Sequence, residues 1–186
     1  MGEEWIISKT GIEERRIAAP DEITSDLAAR AAEKAMRHAD IGADDVDVIV
    51  LATATKDQPI PATASVVQAK IGASRAAAFD IDAACTGFLY ALVVAHSMLM
   101  TDPACRNALV IGAELYSRFL DYEDRRTCVL LGDGAGAGVL SKTEDGSGLL
   151  SSKLASDGSQ SDLVEICAGA VASQRRRRRS TGRGTS

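Results

Sequence analysis

The segment AAAFDIDAACTGFLYALVVAHSMLM, residues 76–100, limits the fold more than any other part of the chain. A β-prone run, AAAFDIDA, reaches one cysteine and then enters a stretch that is apolar almost all round. That stretch predicts a helix from Thr86 to Met100 buried within the molecule rather than lying on its surface. A strand running directly into a buried helix belongs to a layered α/β architecture. The composition allows such a core: 46% of the 186 residues are apolar and 25% charged, close to ordinary globular usage.

The flanking segments continue the alternation. After an extended opening with a turn at Gly11 and Ile12, Ser25 and Asp26 offer caps ahead of LAARAAEKAMRHA. Leu27, Ala31, Ala35 and Ala39, with Ala28, Ala32 and Met36, give that helix one apolar stripe that should lie on a sheet. VDVIVLATAT predicts a buried parallel strand followed by a loop containing Pro59 and Pro61. Thr63 to Ile71 predicts a second helix closed by Gly72. NALVIGAEL predicts another strand, CVLLGDGAGAGVLS two strands joined by a glycine-rich turn, and GLLSSKLASDG a last strand. The expected fold class is α/β, a mixed, mostly parallel sheet with its parallel part first.

Charge is divided unevenly. Six of the 21 Lys and Arg, Arg175 to Arg179 and Arg183, lie in the last dozen residues, which leaves 15 against 26 acids and a formal charge of −11 over residues 1–174. The arginine run fits either a nucleic-acid or localisation signal or a solvated tail. The acidic body has no basic face or aromatic stripe, so nucleic acid is not expected as a partner. No apolar run approaches the roughly 18 residues of a membrane span, and MGEEWI lacks a basic signal-peptide opening, so a cytoplasmic protein is expected.

The four cysteines, Cys85, Cys105, Cys128 and Cys167, form no CxxC pair and have no histidine at ligand spacing. Neither a metal site nor a disulfide framework is expected. GDGAGAG fails as a dinucleotide fingerprint, because Ala137 stands where a third glycine is needed and VLSKT continues as a strand. Asp133 is expected to help order the turn there.

Cys85 is the chemical candidate. Between strand and helix it faces the unpaired amides and positive dipole end of the helix, which favour thiolate, the reactive form. Ala83, Ala84, Thr86 and Gly87 leave room for a substrate. A buried structural cysteine is the competing reading. A cysteine nucleophile needs a base, and the only histidines are His38 and His96. His96 follows eleven residues later on the same helix, about 16 Å along its axis. His38 belongs near a helix carboxyl end, where its charge is favoured and an exposed structural role fits.

EEWIISKTGIEERRIAAPDE, VIVLATATKDQPIPATASVVQ, AAAFDIDAACTGFLYAL, ALVIGAELYSRFLDYEDRRTCVLLGDGAGAGVL and LASDGSQSDL together resemble β-ketoacyl-acyl-carrier-protein synthase III, in that order and spacing. The resemblance covers roughly residues 3–166. It implies a thiolase-like, α-β-α-β-α layered fold, present here as an incomplete amino-terminal half over residues 1–166 with a basic tail over 167–186. It also implies condensation of an acyl-CoA starter with a malonyl group on acyl carrier protein, in fatty acid or polyketide synthesis. By this resemblance Cys85 takes the acyl group as a thioester, while Trp5, Lys9 and Arg125 bind CoA. Ile60 and Leu131 then lie along the acyl chain, with ordinary core packing as the competing reading. CoA enters as substrate and no cofactor is expected. The family's catalytic His and Asn belong to a second half, so the expected partners include a homodimer mate or a complementing half. The alternative is a non-catalytic assembly subunit.

Overall fold

Val48–Ala52 (β1) is buried at all five positions, as a β-branched run needs when both faces of its sheet are covered. In this computed structural model, which describes residues 2–145 and 147–160, β1 pairs in parallel with Ala77–Ile81 (β2) and with Asn107–Leu115 (β3). Asp133–Ser141 (β4) runs antiparallel to β3, giving the order β2-β1-β3-β4. The sheet is mixed and mostly parallel, as the sequence predicts. The chain divides into two units, residues 1–152 and 153–186, and all four strands belong to the first. The described part of the second holds one 3-10 turn, Gly158–Gln160. The expected boundary at residue 166, the basic tail and Cys167 lie outside the described residues.

Among the described residues there are four α-helices: Glu3–Thr10 (α1), Thr24–His38 (α2), Thr63–Ile71 (α3) and Gly87–Thr101 (α4). On one face Ala28, Ala32 and Met36 of α2 and Val67 of α3 pack with Ile49, Leu51, Leu109 and Ile111. On the other face Ala91, Ala95 and Leu99 of α4 meet Val48, Val50, Ala108 and Val110. Strand alternation sends neighbouring residues to opposite layers, and the four-residue spacing of Ala91, Ala95 and Leu99 makes one helical stripe.

Side chains from the strands fasten the helices. Asp80 on β2 accepts from the Thr63 and Ala64 amides, at 2.9 and 2.7 Å, and so caps α3. Lys70 of α3 donates to Asp26 of α2 at 2.6 Å and to the Ser25 hydroxyl at 2.7 Å. Asp26 lies inside the first turn of α2 rather than at its cap, accepting from the Ile23 amide at 2.9 Å.

Several expectations are corrected. The opening is a helix, α1, because Glu3 and Glu4 suit a first turn and Gly11, at φ 71°, ends it. The glycine-rich segment is one strand, β4: Gly134, Gly136 and Gly138 oppose Glu114, Gly112 and Val110, so they sit within the ladder rather than in a turn. No strand forms in the described part of GLLSSKLASDG, where Leu150 is almost fully exposed. Helix α4 is buried on one face only; Phe88, Leu89 and Met100 are exposed. Residues Ala84–Thr101 do reach the length and apolarity of a membrane span, contrary to the sequence reading. The seat of α4 on the sheet, where it contributes an apolar layer, accounts for that composition.

Candidate active site

Because β1, β2 and β3 are parallel, their carboxyl ends gather at one edge of the sheet, where α/β proteins place their sites. β4 begins at that same edge, with Asp133 opposite Leu115. Cys85 stands there in a 3-10 turn, Ala84–Thr86, between β2 and α4. Ala84 takes φ 44°, a left-handed conformation costly for a residue with a Cβ. The turn is held by Thr86, whose amide and hydroxyl both donate to the Ala83 carbonyl. Next, Gly87 allows α4 to start against β1: a Cβ there would lie 3.3 Å from the Ala52 Cβ. Cys85 is exposed, which removes the buried structural reading, whereas Cys105 and Cys128 are buried as small apolar groups.

An open cavity of about 290 Å³ surrounds Cys85, lined by Ala52, Phe88, Gly112, Glu114, Tyr116 and the glycines 134 and 136 among others. Gly112 leaves space that Phe88 fills, its ring 3.4 Å from where a Cβ would stand. Burial pushes the Glu114 carboxyl up, and Asp82 adds to this against the hydrogen bonds from Thr55 and Ala54. Tyr116 is pushed up by burial, then by the negative charges of Glu114, Cys85 and Asp82. The cavity wall is thus made mostly of small and apolar residues, with Cys85, Glu114 and Tyr116 as its polar members.

Asp133 does order its junction, although the junction is a strand start. Its carboxylate accepts from the Ala18 amide at 2.8 Å and from the Ser117 amide and hydroxyl at 2.8 and 2.6 Å. Burial raises its pKa, but these donors outweigh it and hold the carboxyl below the usual aspartate value. Gly132 is needed because a Cβ there would meet the Arg16 carbonyl oxygen at 2.9 Å.

The other predicted residues stand away from this cavity. Trp5 and Lys9 lie on exposed α1, four residues apart and hence on one helical face. Arg125 is exposed in the turns before β4, and Leu131 is exposed there too. Ile60, in the loop after β1, is 86% exposed. None of the five lines the Cys85 cavity. Neither Ile60 nor Leu131 belongs to the buried core of the described residues. His38 is exposed at the end of α2, and His96 lines a separate cavity with Leu92 and Lys142. Glu114, Tyr116 and Phe88 were not picked out from sequence; the placement of Glu114 and Tyr116 at the carboxyl end of a parallel strand was the available signal.

A family model described as 3-oxoacyl-[acyl-carrier-protein (ACP)] synthase III matches residues 79–158. A β-ketoacyl-[acyl-carrier-protein] synthase III of Rhodospirillum centenum is 53% identical over 177 residues, 92% of this chain and 54% of that protein. The solved 3-oxoacyl-(acyl carrier protein) synthase III of Pseudomonas aeruginosa PAO1 superposes with a TM-score of 0.84 at 42% identity, covering 92% of this chain and 54% of its own. That of Aquifex aeolicus VF5 gives 0.74 at 48% identity, covering 78% and 46%. The fold these structures share with the sheet and helices described above is the thiolase-like α/β class. Within that class, the chain belongs to the β-ketoacyl-[acyl-carrier-protein] synthase III family. It spans about half the length of the curated relatives it matches.

Proposed function

We propose that Cys85 accepts an acyl group from an acyl-CoA, the first half of a ketoacyl synthase III condensation in fatty acid or polyketide synthesis in the cytoplasm. The observation that carries this reading is an exposed cysteine on a strained turn at the head of α4, open to a cavity with room for a small acyl group. The thiolate attacks the thioester carbonyl, the C–S bond to CoA breaks, and CoA leaves as a thiolate that takes up a proton. First-turn amides of α4 favour the negative charge that develops on the carbonyl oxygen. Trp5, Lys9 and Arg125 bind CoA in this reading, with an aromatic face and two cations suited to adenine and phosphate. Ile60 and Leu131 contact the acyl chain. Neither histidine lines the cavity, so the decarboxylative second step, with malonyl-acyl carrier protein, requires groups brought by another chain segment or partner.

Intact-mass measurement after incubation with a series of acyl-CoAs tests the assignment. One acyl adduct per chain, absent in Cys85→Ala, is expected; an adduct that persists in Cys85→Ala overturns it. A second reading, an assembly subunit completed by a homodimer mate or a complementing half, is favoured by the bare outer face of α4. That reading expects a stable complex and no adduct.

A further inference from the structure

Two of the residues lining the Cys85 cavity, Gly134 and Gly136, stand inside strand β4. Glycine weakens a strand, and its usual reasons there are a bulge, an unusual backbone angle or the close approach of another group. The first two do not apply. β3 and β4 pair residue for residue from Asn107 with Ser141 to Leu115 with Asp133, so neither strand has a bulge. Neither glycine has a positive φ. Packing does not demand them either: a Cβ at Gly134 or Gly136 would find no described atom within 4 Å beyond its chain neighbours.

The register locates the space that these missing side chains leave. Alternation sends Gly134, Gly136 and Gly138 to the sheet face of Leu140, the face that α4 covers. On that face Gly112 of β3 lies opposite Gly136, and Glu114 opposite Gly134. The space over Gly112 is filled by the Phe88 ring, 3.4 Å from where a Cβ would stand. Nothing fills the space over Gly134 and Gly136, which line the cavity of about 290 Å³ around Cys85. We propose that Gly134 and Gly136 are specificity-determining residues: the bay left by their absent side chains receives the part of the acyl chain next to the thioester, and its width sets how bulky an acyl group Cys85 accepts. This rests on Cys85 as the acyl acceptor. Gly138 shares the strand and the face but does not line the cavity, so it has no part in that selection.

The test alkylates Cys85 with two reagents that share a reacting group and differ in bulk, iodoacetamide and N-tert-butyl iodoacetamide, with the adduct mapped by mass spectrometry on the full chain. No acyl-CoA is involved, so a failure here is distinct from a missing acyl adduct. In Gly134→Val and Gly136→Val the small reagent should react within about twofold of wild type, while the ratio of bulky to small rates falls about tenfold. Gly138→Val should keep that ratio within about twofold of wild type. Should a valine variant fail to fold, the double variant Gly134→Ala with Gly136→Ala takes its place, with a fall of about threefold. That alanine variant should melt at or above the wild-type temperature, since each added atom meets nothing in a backbone conformation open to any residue. A ratio unchanged in the folded Gly134 and Gly136 variants, or an equal fall in Gly138→Val, overturns the proposal.

Discussion

At Ala84 the backbone holds φ at 44°, where glycine is at ease and alanine is not. Ala84→Gly should therefore be neutral or stabilising by about 1 kcal/mol, the reverse of the usual effect, as read from urea midpoints. Asp133 gives a prediction in pH. Its folded pKa is below the unfolded value, so its contribution to stability is complete above about pH 4 and is lost as pH falls. Glu114 has the opposite sign: its folded pKa is raised, so its contribution is present below the ordinary glutamate value and is lost as pH rises. Thermal melts of wild type, Asp133→Asn and Glu114→Gln between pH 3 and 8 check both signs, with Glu114→Gln gaining relative to wild type toward pH 8. At this scale Cys85 was legible because a strand, a thiol and an apolar helix follow one another directly. Glu114 was not, since its partners Ala54 and Thr55 are some 60 positions away in sequence.

Helices α2, α3 and α4 were legible because apolar spacing and a closing glycine are local signals, and Gly72, at φ 75°, does end α3. Helix α1 was not, for its residues bury nothing and no stripe announces it. Strand β4 was misread because glycine suggests a turn when only local propensity is considered. Pairing with β3 outweighs that preference here, and Ala137 and Val139 add apolar contacts on the α2 side. The cap on α3 comes from Asp80 on another element, so only the structure reveals it. Asp80→Ala should cost about 1 kcal/mol, measured by urea unfolding, and should speed amide exchange at Thr63 and Ala64.

Over the first unit as a whole, one layer is closed and the other is not. Helices α2 and α3 cover their face, whereas α4 presents Leu89 (57% exposed) and Met100 (68% exposed) on its outer side. The sequence showed how apolar α4 is, but could not show what covers it, because that depends on residues beyond the helix. If the outer face drives association, Leu89→Lys with Met100→Lys should reduce the sedimentation coefficient while leaving the urea midpoint within about 0.5 kcal/mol of wild type. The central claim remains the acyl transfer to Cys85, and the most direct test counts both products at once. After mixing the chain with an acyl-CoA, free CoA thiol and the acyl group on the Cys85 peptide should appear in equal amounts, with neither formed by Cys85→Ala. Acyl label on any other residue, or CoA release that continues in Cys85→Ala, would contradict it.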